Sequence, residues 1–180
     1  MNELSLHILD IVENSIAAGA AMVFIDIAVA DGVLTISVRD DGCGMDEALA
    51  ERVTSPFATT RTTRKVGLGI PMFKQSAEMS GGSFTLVSEL GIGTELTARF
   101  CATHIDCPPM GNLTETVVAL VVAAPEKPDL CMTVSGGEVF AFDTREIKAV
   151  LGGVPLTSPD VLNWIKEYVK EGIESTGAAF

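Results

Sequence analysis

Apolar residues Ile8, Leu9, Ile11, Val12 and Ile16 recur at helical spacing near the start of the chain. That pattern predicts a helix over "HILDIVENSIAAGA", residues 7–20. His7, Asp10 and Asn14 are three and four positions apart, so they share one polar face of that helix. The pattern then changes period. "MVFIDIAVADGVLTISVRD" alternates apolar and polar on both sides of Asp31-Gly32, which predicts a β-hairpin. "DEALAERV" predicts a short helix capped by Asp46. "IPMFKQSAEMS" predicts another, with Pro71 in its first turn and Gly81-Gly82 after its end. "SFTLVSE" and "TELTARFCA" form a second hairpin across "LGIG". Between the second and third helices, "TSPFATTRTTRKVGLG" has no period and reads as a long loop.

Up to residue 104 these elements predict an α+β fold, a two-layer sandwich of helices on one face of a mostly antiparallel sheet. Residues 105–112, around "DCPPMGN", read as a linker. The segment 113–180 reads as a small α+β domain or an extension completing the first. In it, the apolar run "TVVALVVAAP" suggests a buried strand at 114–124. A hairpin on Gly136-Gly137 follows, then a helix opened by Asp143 with Glu146 and stopped at Gly152. A last helix opens at Ser158-Pro159 and buries Val161, Leu162, Ile165, Tyr168 and Val169. Trp164 is expected in the core or at a subunit contact.

Charge narrows the function. Of 180 residues, 47% are hydrophobic, and the net charge is −12 with a pI near 4.4. So acidic a surface repels nucleic-acid backbones, so no nucleic-acid partner is expected. Neither a signal peptide nor a membrane span is apparent, and the four cysteines lack the framework of a secreted scaffold. A reduced, cytoplasmic protein is the expectation. Cys101, His104 and Cys107 are evenly spaced, but three ligands make a weak metal motif. Against the acidic background, Arg52, Arg61, Arg64, Lys65 and Lys74 cluster within residues 52–74. Such a patch suits a small anionic ligand, although a solvated charged loop has the same composition.

Three glycine turns, "DDGCGM" (40–45), "VGLGI" (66–70) and "GIGT" (91–94), sit at the ends of predicted elements. Turns without side chains let the backbone approach a ligand and aim N–H groups at phosphate. Taken in order with Asn14, the motifs Asp40-x-Gly42-x-Gly44, Gly67-x-Gly69 and Gly91-x-Gly93-Thr94 resemble the Bergerat-type ATP-binding fold. Sensor histidine kinases, DNA gyrase, heat-shock chaperone ATPases and mismatch-repair ATPases share that fold. "VENSIAAGA" and "RDDGCGM" look most like the mismatch-repair branch, whereas "SPFATTRTTRKVGLGIPMFKQSAEMSGG" and "GIGTELTARF" are closer to the histidine kinases.

This resemblance implies ATP and Mg2+ as cofactors. Asp40 would accept a hydrogen bond from the adenine amino group, with Thr94 supporting the same edge. Asn14 would place its amide oxygen on Mg2+. Gly42 and Gly44 would let their loop pass close to the nucleotide, while Gly67, Leu68 and Gly69 would open a helix toward phosphate. Thr59, Thr60, Arg61, Arg64 and Lys65 would form a lid over the triphosphate, with Phe57 as a hinge or core residue.

The chain also departs from its relatives. In the hydrolysing branches a glutamate four residues before the magnesium asparagine acts as general base, and here that position is Asp10, one methylene shorter. A further glycine of the histidine-kinase pattern is missing near Lys65. The motif begins almost at residue 1, so no phospho-acceptor hairpin is expected before it, and His7 and His104 lack the acceptor context. Three functions follow from the resemblance. One is slow ATP hydrolysis whose lid closure changes contacts with a protein partner. Another is transfer of the γ-phosphate to a separate protein. The third is non-catalytic sensing of ATP against ADP. A homodimer is left open.

Overall fold

The computed structural model of the protein describes residues 3–55 and 68–180. Helix α1 (Leu4–Ala17) leads into the hairpin of β1 (Met22–Ala30) and β2 (Val33–Asp40). Helices α2 (Glu47–Val53) and α3 (Gly69–Met79) follow, then the hairpin of β3 (Ser83–Glu89) and β4 (Gly93–Cys101). The predicted Asp46 cap is present, its carboxylate accepting the Leu49 N–H at 2.8 Å. After α4 (Leu113–Ala123), strands β5 (Asp129–Ser135) and β6 (Val139–Asp143) form a third hairpin, and α5 (Thr144–Leu151) and α6 (Pro159–Ser175) close the chain.

All six strands lie in one sheet in the order β3-β4-β2-β1-β5-β6. Every neighbouring pair is antiparallel except β1 with β5, which run parallel. The alternation along the strands separates the faces. Val23, Ile25 and Ile27 of β1, Ile36 of β2, Ala98 and Phe100 of β4 and Val134 of β5 are almost wholly enclosed. Asp26, Arg39, Glu95 and Arg99, one residue out of phase, are exposed. The enclosed face merges with Leu4, Ile8, Phe73, Leu120 and Ile165 from α1, α3, α4 and α6 in a single hydrophobic core. The architecture is therefore the α+β sandwich that the sequence predicts, with its helices over one face.

The strand expected at 114–124 is helix α4 instead. Leu113, Thr116, Val117, Leu120 and Val121 are its buried residues, spaced three and four apart. An apolar run of this length cannot be assigned by hydrophobicity alone, and the β-branched valines favoured a strand. Its start signal decides the matter: the Asn112 carboxamide accepts the Glu115 N–H at 3.0 Å, the geometry of a helix N-cap. Helix α4 packs between α1 and α6, which explains its high apolar content. The stretch before it docks on α1. Glu3 gives that helix no side-chain cap, and the carbonyls of Pro109 and Met110 accept the Leu4 and Ser5 N–H groups at 2.9 and 2.8 Å.

Helix α6 buries Val161, Ile165 and Val169 as predicted, whereas Leu162 is half-buried and Tyr168 exposed. Trp164 is not in the core. It is half-exposed and stacks on Tyr168, with ring centres 5.0 Å apart and planes 8° from parallel. Positions 164 and 168 flank the i, i+4 stripe that faces the sheet, so both rings lie at its margin.

Candidate functional site

The polar face of α1 and the carboxyl end of β2 meet at a cavity of about 400 Å³. Val38 and Leu96 from the sheet, Ile11 from α1, Met45 and Leu49 around α2, and Ile70 from α3 give it apolar walls. Its polar lining consists of Asn14, Ser15, Asp40 and Thr94. Strand register places these groups. Asp40 pairs with Thr94 across β2 and β4, and Thr94 pairs with Ser88 across β4 and β3. In an antiparallel sheet such opposed residues point to the same side, so a carboxylate and two hydroxyls stand in a row across three strands.

Two adjacent aspartates divide the labour at this end of β2. The Asp41 carboxylate turns back and accepts the Ala21 and Met22 N–H groups at 2.7 and 2.8 Å, fixing the start of β1. Asp40 is held toward the cavity. Its Oδ1 accepts the Gly42 N–H at 2.9 Å, and Ser15 donates its hydroxyl to Oδ2 at 2.6 Å. An ionised carboxylate only accepts, and each oxygen keeps a further lone pair for a ligand. Gly44 seats the following loop on the β3–β4 turn. Its φ is +63°, and a Cβ there would lie 1.9 Å from the Glu89 carbonyl oxygen, so no side chain fits. Gly42 is buried against Ala18 and the Asp40 carboxylate, and exposed Cys43 lies between the two glycines on the cavity wall.

The structure thus brings Asn14, Asp40, Gly44 and Thr94 to one cavity. Asp10 is half-buried one turn from Asn14 and is not part of the lining. The start of α3 covers it: a Cβ on Gly69 would lie 2.9 Å from the Asp10 Cβ and 3.0 Å from its Oδ2. Leu68, just before α3, is exposed. Thr59, Thr60, Arg61, Arg64, Lys65 and Gly67 lie outside the described residues, as does Phe57. Among the described residues no three His, Cys, Asp or Glu side chains cluster as a metal site, so Cys101, His104 and Cys107 do not form one. His104 Nδ1 instead accepts the Asp106 N–H at 3.1 Å.

Two contributors escape the motif reading. Ser15 directly follows Asn14, and its role appears only when helix and strand are brought together. Ser88 lies outside the glycine motif that follows its strand, and only the β3–β4 register reveals it.

His7 is fully enclosed beside Phe73, with ring centres 5.3 Å apart, and both ring nitrogens lack a hydrogen-bond partner among the described residues. Burial pushes its pKa below the ordinary value of 6.5, and the nearby Asp10 charge only partly offsets this. The unfolded chain therefore takes up a proton on acidification before the folded one does, and stability falls as pH drops below about 6.5. Replacing His7 with Leu removes this component. Between pH 7.5 and 5.5 the wild-type Tm is expected to fall further than that of the variant, by roughly 2–4 °C. Parallel thermal melts at the two pH values check this.

Among the described residues no helix is long and apolar enough to cross a membrane. The family of histidine kinase-, DNA gyrase B-, and HSP90-like ATPases matches residues 2–104. A putative sensor protein of Shewanella frigidimarina is 29% identical over 59% of this chain and 16% of its own length. Sensor histidine kinase CitA of Klebsiella pneumoniae is 32% identical over 34% of the chain and 11% of its own length. DNA mismatch repair protein MutL of Desulforudis audaxviator is 48% identical over 30% of the chain and 9% of its own length. The chain thus spans less than a fifth of each of these proteins. With the family matching more than half of the residues, and with the motif-bearing residues gathered at one cavity, the chain belongs to the histidine kinase-, DNA gyrase B- and HSP90-like ATPases, a family that binds ATP.

Proposed function

We propose that the protein is a Mg-ATP-binding regulatory module that hydrolyses ATP slowly and couples nucleotide occupancy to a protein partner. The acceptor pair Asp40 and Thr94 in the wall of an apolar cavity carries this reading. Asp40 takes the hydrogen bond of the adenine amino group, the ring lies between Ile11, Val38, Met45 and Leu96, and Thr94 completes the polar edge. The sugar and phosphates then run along α1 past Asn14. Asn14 supplies one neutral oxygen, a donor of the kind Mg2+ takes when phosphates and waters fill its remaining positions. The bound ion would neutralise phosphate charge. Leu68 and Gly69 open α3 beside this path, where uncapped N–H groups and the helix dipole favour an anion. The basic and hydroxyl residues Thr59, Thr60, Arg61, Arg64 and Lys65, outside the described residues, would serve as the lid.

Asp10 is the general base in this reading. It stands one turn before Asn14 on the same face, and the approach of Gly69 holds its carboxylate at the mouth of α3. Its short side chain limits its reach to the attacking water, which is why turnover is slow. Asp10→Asn is expected to lower phosphate release about tenfold, below the usual worth of a well-placed base, with ATP affinity unchanged. Phosphate release and bound nucleotide, measured on the same samples, test this. Unchanged turnover in the variant removes Asp10 from the mechanism.

One observation favours a second reading, phosphoryl transfer to a separate protein. Asp10 lies outside the cavity lining, and relatives such as CitA are named as sensor histidine kinases. On that reading, label from the γ-phosphate moves to another protein, and the purified chain alone releases little phosphate.

A further inference from the structure

Ser88 touches three groups at once. It accepts the Met45 N–H at 2.8 Å, donates to the Gly93 carbonyl at 3.0 Å and lies 2.8 Å from the Thr94 hydroxyl. A hydroxyl carries one proton and two lone pairs. All three contacts are satisfied together only if that proton goes to Gly93 and Thr94 donates its own proton to Ser88. The alternative, Ser88 donating to Thr94, leaves the Gly93 carbonyl without this bond. Thr94 Oγ1 then has no proton left for the cavity and presents only lone pairs. Its neighbour in register, Asp40, is likewise an acceptor, already committed to Gly42 and Ser15.

We propose that Ser88 is a specificity-determining positioning residue: it orients the Thr94 hydroxyl as an acceptor, so that the polar wall of the cavity admits a purine presenting a 6-amino group and rejects one presenting a 6-oxo group. The proposal rests on the reading of this cavity as the adenine site. Ser88 does not line the cavity and acts through Thr94. Freed of Ser88, Thr94 can rotate its proton outward and donate to a 6-oxo purine. Sites built on buried polar groups discriminate because the wrong ligand leaves those groups unpaired. A proton free to turn removes that penalty.

The experiment measures Kd for ATP and for inosine triphosphate, which differ at the 6-position, in wild type, Ser88→Ala, Ser88→Thr, Thr94→Val and the Ser88→Ala/Thr94→Val double variant. Thermal melts identify any variant that fails to fold. Wild type is expected to prefer ATP. Ser88→Ala should reduce that preference about tenfold, chiefly by tighter binding of inosine triphosphate, the scale of one hydrogen-bond polarity. Ser88→Thr keeps the hydroxyl and should keep the preference. In the Thr94→Val background Ser88→Ala should change the ATP-to-inosine ratio by less than about twofold. Wild-type discrimination in Ser88→Ala, or an equal loss with and without Thr94, overturns the role of Ser88 while leaving the adenine site intact. If wild type binds both nucleotides equally, the adenine reading and the proposal fall together. Should Ser88→Ala not fold, loss of the preference in Ser88→Thr overturns the proposal and its retention, together with altered discrimination in Thr94→Val, upholds it.

Discussion

Replacing Asp40 with Asn is expected to lower ATP affinity by at least about a hundredfold while leaving the fold intact. The substitution preserves shape. The new side chain can still accept the Gly42 N–H through its oxygen, as Oδ1 does now at 2.9 Å. The change falls on the other atom, where Ser15 donates to Oδ2 at 2.6 Å. An amide NH2 there turns an ionised acceptor into a donor that faces both Ser15 and the adenine amino group. Losing a charge-assisted hydrogen bond costs about 1.5–3 kcal/mol, and two opposed donors in a half-buried cavity add to that. Asp40→Ala should also abolish binding, but it leaves Ser15 and the Gly42 N–H without their partner. Isothermal titration with Mg-ATP, beside a thermal melt, separates the two variants. Wild-type affinity in Asp40→Asn would remove the adenine from this end of the cavity and with it the central functional assignment. Asp41→Asn is the natural contrast. Asp41 holds the start of β1 through two N–H groups, so it should cost stability and not affinity.

The paired outcomes show which parts of this site can be read from sequence. Asp40, Gly44 and Thr94 each lie in a short glycine motif at the end of a strand, where turn chemistry leaves a local trace, and Asn14 lies on the polar face of the first helix. Ser15 and Ser88 leave none: Ser15 reaches Asp40 across 25 residues, and Ser88 meets Thr94 only through the pairing of β3 with β4. The same division runs through the fold. The three hairpins have local turns and were legible, whereas the parallel pairing of β1 with β5 joins Met22 to Asp129. No local pattern encodes so distant a partner, although the one-sided burial of Leu130, Met132 and Val134 is the ordinary period-two signal. Helix α4 failed for a different reason. Its start signal is local, the Asn112 carboxamide on the Glu115 N–H, but the strand expectation rested on the apolar run alone.

That distribution bears on how the site is built. Its motif residues come from α1, β2, β4 and the loop after β2, and the sheet carries two of the four, Asp40 and Thr94. Register alone sets Asp40, Thr94 and Ser88 abreast, so the polar end of the cavity is as rigid as the sheet. Asn14 and Asp10 are held on a helix whose first N–H groups are satisfied by the carbonyls of Pro109 and Met110. The segment beyond residue 104 thereby anchors the start of the helix that carries Asn14 and Asp10. On the proposed function, base recognition and phosphate chemistry would rest on different parts of the fold, and variants of one should spare the other.

Gly93→Ala is expected to be far more damaging than Gly91→Ala, two residues away, which should be mild. Both positions have positive φ, +139° and +77°, so both lose conformational freedom on gaining a side chain. Their surroundings differ. At Gly91 nothing lies within 4 Å of the added Cβ, whereas at Gly93 it would stand 2.0 Å from the Asp40 carbonyl oxygen and 3.0 Å from the Asp41 Cα. Those neighbours are backbone at the last β2–β4 pair and cannot step aside without disturbing that pairing. Gly91→Ala should cost about 1–2 kcal/mol, the penalty for a left-handed L-residue. Gly93→Ala should cost about 4 kcal/mol or more. For a chain of this size those figures correspond to Tm losses of a few degrees and of about 10 °C or more. Nucleotide binding sharpens the contrast. The Gly93 carbonyl accepts from Ser88, and the strand shift that relieves the clash also moves Thr94 away from Asp40. Gly93→Ala should therefore lose more than about tenfold in ATP affinity even where it stays folded, while Gly91→Ala binds as wild type. Equal Tm losses in the two variants would contradict the close approach of β4 to Asp40 on which the geometry of the cavity depends.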